Sequence, residues 1–376
     1  KLLNGNNKEA IAEASKILQD GGLVAFPTET VYGLGADALN ADAAAKIYAA
    51  KGRPSDNPLI VHIADTDAVE KLADLETMNR THPDMVKKAH MLMEAFWPGP
   101  LTIIFPKLAI VPDGTTGGLP TVAIRMPSHP IAQELIRTSG VSIAAPSANT
   151  SGRPSPTTAQ HVWEDMDGRI EMILDGGAVG IGIESTIVDM TGTIPTILRP
   201  GFITKTMLSE IVGDVTIDPA IIEPDPNLRP KAPGMKYTHY APHGTLSIVE
   251  AVADESANRA SLHSGVKVSY NATEAETLRV AEKIKALVNE KEAQGYKVAI
   301  LTTKEHASLY KNYSHVLIVG EGSKGQTISA RLYAALRECD SEQMEYMYSE
   351  AFDQNELGGA IMNRLLKAAG HRVITV

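Results

Sequence analysis

Short apolar runs and longer amphipathic stretches alternate along the first 200 residues of this 376-residue chain. Helical spacing of apolar positions, or a run of alanines, predicts helices at 8–20, 42–50, 84–96, 130–138 and 157–165. Continuous apolar runs predict strands at 23–26, 59–63, 101–105, 121–126, 142–145, 171–174 and 185–189. A hairpin between 185–190 and 196–199 adds an antiparallel pair. The pattern therefore predicts an α/β domain around one twisted, mixed sheet.

The pattern changes after residue 212. Prolines recur at positions 219, 224, 226, 230, 233 and 242, and they exclude regular helix and central strand from this stretch. Beyond it, strands are predicted at 246–250, 297–302, 315–319 and 345–349, with helices at 273–293, 326–338 and 358–369. We therefore predict an α/β domain over 1–212, a Pro-rich linker over 213–244 and a small, doubly wound α/β domain over 245–376.

The net charge of −10 argues against broad electrostatic binding to nucleic acid or anionic lipid. Residues 1–244 hold 20 basic and 28 acidic side chains, whereas residues 245–376 hold 15 and 17. An anion bound by the first domain must therefore be held by a few basic side chains at specific positions, and not by a broadly positive surface. The chain has no run of eighteen apolar residues, so we expect no membrane span. Its single cysteine, Cys339, fits a core position and a reducing, cytoplasmic setting.

Two polar motifs, nearly a hundred residues apart, carry the strongest chemical signal. The first places Lys51 and Arg53 ahead of two prolines that restrict the backbone around Asn57. Arg53 offers a planar fork for phosphate or carboxylate, and Lys51 offers a mobile point charge. A solvated basic helix end is the alternative interpretation, but the rigid prolines and the apolar strand that follows favour a built anion site.

The second motif, Ser147-Ala-Asn149, opens a stretch rich in hydroxyls and turn formers that runs past Ser155. Successive backbone N–H groups in such a turn can form an anion nest, although a plain surface loop is the alternative. Further polar side chains stand at or near the ends of other predicted strands, where α/β sheets bind ligands: Thr28, Thr30, His62, Ser185 and Arg199.

Two other motif readings are weak. A lone His in a strand, such as His62, is more often a satisfied core residue than a ligand, and no second His stands at metal-ligand spacing. We therefore predict no protein metal site. Gly33-x-Gly35-x-x-Ala38 matches a dinucleotide fingerprint, but six residues separate it from the preceding strand, so we discount it. Two interpretations of this segment stay open: the Thr28 and Thr30 hydroxyls face a ligand at the end of the strand, or the segment is a glycine-rich loop with satisfied threonines.

The linker carries more chemistry than a spacer needs. Two tyrosines, one histidine and one lysine fall within residues 236–240. Aromatic side chains there predict that 232–242 packs over a ligand as a lid, and docking onto its own domain for stability is the alternative.

Taken together, these residues resemble the threonylcarbamoyl-AMP synthase family in its long form, with a YrdC-like domain, a linker and a small C-terminal domain. Lys51-x-Arg53 and Ser147-x-Asn149 match the family's signature. Four further segments match in the family's order: Pro27-Thr-Glu-Thr-Val-Tyr-Gly33, Glu184-Ser-Thr-Ile-Val-Asp189, Pro233-Gly-Met-Lys-Tyr237 and Ala360-Ile-Met-Asn-Arg364. The resemblance covers essentially the whole chain. It implies a twisted mixed sheet with a concave, locally basic cavity, followed by a small Rossmann-like domain.

The resemblance also implies a reaction. L-Threonine, bicarbonate and ATP are joined into threonylcarbamoyl-adenylate, and pyrophosphate is released. Other proteins then transfer the threonylcarbamoyl group to an adenosine beside the tRNA anticodon. ATP is thus a substrate, Mg²⁺ is expected on its phosphates, and a weak direct contact with tRNA is allowed.

The same resemblance assigns the site residues. The signature residues, taken as catalytic, are Lys51, Arg53, Ser147 and Asn149. The residues implied to hold ATP are Arg53, Asn57, Thr121, Ser147, Ser155, Arg199 and Tyr237. The residues implied to line the threonine site are Thr30, His62, Arg125, Ala145 and Ser185.

Two other functions stay open. An RNA- or tRNA-binding module would use the basic concave face, and the acidic balance of residues 1–244 counts against it as the main role. A carbamoyl-transfer enzyme with a YrdC-like domain would use carbamoyl phosphate. Such relatives carry zinc-finger or acylphosphatase modules, which a single cysteine does not favour.

Overall fold

The computed structural model describes residues 1–221, 232, 240–251, 273–352 and 357–376, and the structural statements that follow refer to these ranges. The chain divides into two compact units. The first comprises Lys1–Ser151 and Ser155–Tyr237, and the second comprises Gly152–Pro154 and Thr238–Val376. Most of the predicted linker, and with it most of the predicted lid, lies outside the described residues.

The strands of the first unit form one mixed sheet. They are β1 (Leu2–Asn4), β2 (Val24–Phe26), β3 (Gly33–Asp37), β4 (Ile60–His62), β5 (Leu101–Pro106), β6 (Thr121–Arg125), β7 (Ile143–Ala145), β8 (Met172–Asp175), β9 (Thr186–Asp189), β10 (Thr196–Arg199) and β11 (Thr216–Ile217). Their order across the sheet is β1-β8-β2-β3-β7-β4-β6-β5-β9-β10-β11. At the centre, β4 is parallel to β6 and antiparallel to β7. The predicted mixed α/β architecture is confirmed.

The helices of the first unit are α1 (Lys8–Gln19), α2 (Ala41–Lys51), α3 (Leu75–Thr81), α4 (Pro83–Phe96), α5 (Asp113–Thr116), α6 (Pro130–Ser139), α7 (Ala159–Met166) and α8 (Lys205–Val212). Helix α2 matters most for the site. The Asn40 side chain caps its first turn, and Gly52, with a left-handed φ of 62°, ends it directly after Lys51. These two caps place the Lys51-x-Arg53 motif where the helix ends.

Strand β3 was not predicted, and it occupies a segment for which a glycine-rich loop was one of two open alternatives. The glycines serve close packing of neighbouring strands here. A Cβ added to Gly35 would stand 2.7 Å from Cγ2 of Ile143 and 2.8 Å from Cε1 of Phe26. Because only glycine fits between these side chains, β3 can pair antiparallel with both β2 and β7.

The two faces of the central strands are buried in different ways. On one face, Val61, Ile103 and Val122 belong to the main hydrophobic core. On the other face, a smaller cluster comprises Ile60, Ile104, Ala123, Ile187, Leu198 and Ala232. Ala232 comes from the predicted linker and is fully buried. We call this second surface the Ile60 face, and its polar margins carry the candidate site.

The second unit contains a five-stranded parallel sheet in the described part of the chain. Its strands are β12 (Thr245–Glu250), β13 (Val298–Thr302), β14 (Val316–Ile318), β15 (Tyr346–Glu350) and β16 (Val373–Thr375), in the order β14-β13-β15-β12-β16. Its helices are α9 (Glu274–Ala293), α10 (Gly325–Ser341) and α11 (Leu357–Ala368). The predicted parallel α/β pattern is confirmed, and Cys339 is fully buried in α10 as expected.

Candidate active site

Polar residues gather at one end of β4, β5 and β6. His62 of β4 is the register partner of Arg125 of β6, and Thr102 of β5 is the partner of Arg125 on its other side. All three side chains are buried. Cross-strand partners project from the same face of a sheet, so these residues share the Ile60 face. A charged guanidinium, an imidazole and a hydroxyl therefore border an otherwise apolar surface.

The Arg125 guanidinium is held from three directions. Its Nη1 donates to Oγ1 of Thr30 at 2.9 Å, its Nη2 donates to Oε1 of Glu29 at 2.6 Å, and its Nε donates to the Gly99 carbonyl at 3.3 Å. Arg125 and Glu29 form a salt bridge with side-chain exposures of 4% and 14%. The segment around Thr30 is fixed as well, because the Gly182 amide donates to the Thr30 carbonyl.

His62 is neutral in this setting. Burial, with the neighbouring Arg125 charge adding to it, lowers the pKa of His62 to about 3. Its Nδ1 lies 3.0 Å from the Ile60 carbonyl oxygen. The side chain therefore adds a polar, uncharged group beside Arg125. Ala145, the register partner of Ile60 on β7, contributes a small apolar side chain to the same face.

Ser185 and Arg199 form a second polar group next to Thr102. The Ser185 hydroxyl lies 2.7 Å from the Thr102 hydroxyl. Arg199 donates from Nη2 to Oγ of Ser185 at 3.1 Å and from Nε to the Ser185 carbonyl at 3.0 Å. The structure thus joins Arg199, assigned to ATP, to Ser185, assigned to threonine.

The two signature motifs meet at Lys51. Its buried ammonium donates to the Ser147 carbonyl at 2.5 Å and to the Asn149 carbonyl. The Ser147 hydroxyl donates to Oδ1 of Asn149 at 2.5 Å. An isolated bridge between Gly33 and Ser147 ties this loop to β3. Lys51 therefore fixes the path of the loop through its carbonyl groups.

Arg53 and Asn57 form a group of their own. Nη2 of Arg53 donates to the carbonyls of Asn57 and Pro58, at 3.3 and 3.1 Å. Asn57 is 1% exposed, and its side-chain oxygen has no hydrogen-bond partner within the described ranges. A buried acceptor of this kind is what a donor on a bound ligand would satisfy.

The remaining residues assigned to the site from the sequence are Ser155, Thr121 and Tyr237. Ser155 is fully buried and donates to Oε1 of Glu184 at 2.5 Å. Thr121 begins β6 and is the register partner of Pro106. Arg125 lies four positions further along the strand, about 13 Å away, so Thr121 marks the opposite margin of the Ile60 face. Tyr237 lies outside the described residues.

No group of three or more His, Cys, Asp or Glu side chains that could hold a metal ion occurs in the ranges that the structure covers. Within those same ranges, no helix is long and apolar enough to cross a membrane.

Comparison with known proteins decides the family. A family model described as telomere recombination (Sua5_yciO_yrdC) matches residues 16–201, and one described as the threonylcarbamoyl-AMP synthase C-terminal domain matches residues 203–370. A Bacillus subtilis protein named threonylcarbamoyl-AMP synthase is 46% identical, over 98% of this chain and 95% of its own length. The chain belongs to the threonylcarbamoyl-AMP synthase family.

Other members of the synthase family match over similar lengths. The Pyrococcus abyssi threonylcarbamoyl-AMP synthase is 41% identical, over 99% of this chain and 98% of its own. The crystal structure of P. abyssi Sua5 complexed with L-threonine is similar with a TM-score of 0.85 and 40% identity, covering 100% of this chain and 99% of that one. The family resemblance is confirmed, and so are the mixed sheet and the second α/β domain expected from it.

Three residues of this synthase-family site were not assigned from the sequence: Glu29, Thr102 and Glu184. Glu29 and Glu184 stand inside motifs that resemble the family, but a motif does not show which donor each carboxylate meets. Thr102 carries a weaker signal, as a polar residue at the start of an otherwise apolar strand. Its alignment with Arg125 depends on strand register, which the sequence alone does not give.

Proposed function

We propose that this protein is an L-threonylcarbamoyladenylate synthase, which joins L-threonine, bicarbonate and ATP and releases pyrophosphate. The observation that carries the proposal is the meeting of the two signature motifs through the Lys51 ammonium and the carbonyls of Ser147 and Asn149. Full-length relatives that carry the synthase name support it. Domains over 1–212 and 245–376, with a linker over 213–244, remain our proposed organisation.

The amino acid is proposed to bind at the Arg125 end of the Ile60 face. Arg125 offers a guanidinium to the threonine carboxylate, which is the charge-assisted pairing that arginine favours. The residues proposed to line the site with it are Thr30, His62, Ala145 and Ser185. Because His62 is neutral, it does not compete with the substrate ammonium for negative charge.

The nucleotide is proposed to extend from Arg199 along the Ile60 face toward Thr121. The remaining residues assigned to it are Arg53, Asn57, Ser147, Ser155 and Tyr237. The Asn57 oxygen, which has no partner in the described ranges, and the buried hydroxyl of Ser155 support this assignment, since adenine and ribose carry donors and acceptors for both. Lys51 and Asn149 are assigned to hold the loop that carries Ser147.

The proposed reaction requires aligned substrates and positive charge close to them. The threonine amine takes up carbon dioxide or dehydrated bicarbonate and loses a proton, which gives a carbamate. A carbamate oxygen then attacks the α-phosphorus of ATP, and the bond to the pyrophosphate oxygen breaks. Both reactants are anionic, so arginines that face them lower the repulsion at close approach. In-line alignment supplies much of the remaining rate, without a protein nucleophile.

Several partners belong to the same proposal. Mg²⁺ is expected to enter with ATP, since this ion keeps most of its waters and binds substrate phosphates. The adenylate is a mixed anhydride that water destroys, so we propose that tRNA threonylcarbamoyl-transfer proteins consume it, with at most a weak direct contact to tRNA. We place the reaction in the cytoplasm, which suits a lone buried thiol.

Pyrophosphate release with each substrate omitted in turn tests the proposal. We expect release only when threonine, bicarbonate and ATP are all present. Release that persists without threonine would contradict the function. Activity that requires carbamoyl phosphate in place of threonine and bicarbonate would instead favour the carbamoyl-transfer alternative.

A further inference from the structure

We infer that Glu29 and Thr28 are positioning residues for substrate recognition, because together they fix the orientation of the Arg125 guanidinium. This inference rests on the proposed function, in which Arg125 binds the threonine carboxylate. Neither residue is required to touch the substrate. Glu29 acts through the hydrogen bonds of its carboxylate, and Thr28 acts through those of its hydroxyl.

The guanidinium offers five N–H groups in a fixed plane. Within the described part of the chain, three of them are used, toward Thr30, Glu29 and Gly99. Among these same residues, no partner takes the second N–H of Nη1 or of Nη2. A carboxylate pairs with two such parallel N–H groups, so the side chains that hold Nη1 and Nη2 determine where the substrate carboxylate can lie.

A carboxylate is needed at position 29 because both of its neighbours are donors. Oε1 accepts from Nη2 of Arg125 at 2.6 Å, and Oε2 accepts from the backbone N–H of Ser128 at 3.1 Å. A glutamine has one acceptor and one donor, so it would satisfy one neighbour and oppose the other. An aspartate keeps both acceptors and the charge but is one methylene shorter.

Thr28 completes the arrangement by fixing the Thr30 hydroxyl. The Thr28 hydroxyl lies 2.7 Å from the Val31 carbonyl, which can only accept, so Thr28 donates there. The Thr30 hydroxyl, 2.8 Å away, must therefore donate to Thr28. This leaves the lone pairs of Thr30 for Nη1 of Arg125. The proton order along this chain follows because its two ends, an arginine and a carbonyl, have fixed roles.

Charge and orientation have opposite effects at Glu29. Its negative charge repels the substrate carboxylate, and water screens this repulsion only weakly in a partly buried site. Removing the charge alone would therefore tighten threonine binding. Removing the orientation would weaken it, because a freely rotating guanidinium loses its paired N–H groups. The sign of the change separates the two effects.

Calorimetric titration of threonine into Glu29→Gln and Glu29→Asp is the first test. We expect about tenfold weaker threonine binding in both variants, with ATP binding in the same samples within about twofold of the original protein. Glu76→Gln is the matched control, since Glu76 also pairs with an arginine, Arg80, at 3.9 Å on an exposed surface. Its threonine affinity should not change.

The second test uses Thr28, whose buried hydroxyl also accepts from the backbone N–H groups of Thr30 and Val31, at 3.2 and 3.3 Å. Thr28→Val removes the hydroxyl at nearly constant volume, and Thr28→Ser keeps it. We expect Thr28→Val to weaken threonine binding about fivefold and Thr28→Ser to restore it. A purely structural role would lower the melting temperature of both variants without separating their threonine affinities.

A third experiment identifies the group of the substrate that Arg125 binds. The amino alcohol L-threoninol lacks the carboxylate, so Glu29→Gln should change its binding less than twofold. Equal losses for threonine and threoninol, or tighter threonine binding in Glu29→Gln, would overturn the inference. If the original protein binds no threonine at all, the proposed function fails before the question of positioning arises.

Discussion

Polar side chains at this site hydrogen-bond to one another. Arg199 donates hydrogen bonds to the backbone carbonyl and to the hydroxyl of Ser185. The Ser185 hydroxyl is in turn within hydrogen-bond distance of the Thr102 hydroxyl. Buried polar groups need such partners, because a lost bond leaves a desolvated donor or acceptor behind. Arg53 donates to the carbonyls of Asn57 and Pro58. The side-chain oxygen of Asn57 has no hydrogen-bond partner among the residues that the structure describes.

At the residue scale, Arg53→Ala is predicted to lower turnover at least roughly 100-fold, which is the usual cost of removing one donor that stabilises developing charge. Steady-state pyrophosphate release measures the change. Arg80→Ala is the control, because Arg80 is an exposed arginine on α3. Near-normal turnover of the Arg53 variant would remove this residue from its proposed role.

Helix α2 and the loop after β7 are the elements that create the site. Gly52 ends α2 directly after Lys51, so the Lys51 ammonium reaches the carbonyls of Ser147 and Asn149. Without that cation, both carbonyl groups would lose the Lys51 ammonium as a donor. Lys51 therefore acts on the reaction through the loop that it holds.

At the element scale, Lys51→Met is predicted to raise the KM for ATP and to lower turnover about 100-fold, since small displacements of reacting groups have effects of that size. Lys46→Met is a close control. Lys46 lies on the same helix and also donates to a backbone carbonyl, that of Gly21 at 2.6 Å. Equal activity losses in the two variants would show that Lys51 serves helix stability alone.

The sequence predicted most of these elements but not how they align. Strands 101–105 and 121–126 were expected as separate apolar runs, and the pairing of Thr102 with Arg125 depends on their register. Periodicity fixes which side chains share a face of one strand, but it does not place that strand against another. For the same reason the signature indicated an anion site, whereas the binding of Lys51 to backbone carbonyls was not predictable.

At the scale of the whole molecule, the two units carry different chemistry. The polar groups of the proposed site belong to the first unit. The second unit buries a carboxyl group at the end of β12, where burial raises the pKa of Glu250 to about 7. Because the folded-state pKa lies above that of the unfolded chain, the folded state binds the extra proton between about pH 4.5 and 7. The contribution of the protonated Glu250 carboxyl to the stability of the fold is present below that range and is lost as the pH rises through 7.

Glu250→Gln is therefore predicted to stabilise the second unit at pH 8 and to have little effect near pH 5. Each kcal/mol gained should raise the melting temperature by about 2–4 °C, measured by scanning calorimetry. Glu282→Gln, at an exposed position of α9, is the control. A melting temperature that changes equally at both pH values would show that burial of this carboxyl does not govern the pH dependence.

The most direct test of the central claim is mass spectrometry of the reaction product formed from ¹³C-labelled bicarbonate, threonine and ATP. The account predicts threonylcarbamoyl-AMP with a single ¹³C, formed by the original protein and reduced at least roughly 100-fold by Arg53→Ala. Release of pyrophosphate with no labelled adenylate, or undiminished product from the Arg53 variant, would contradict it.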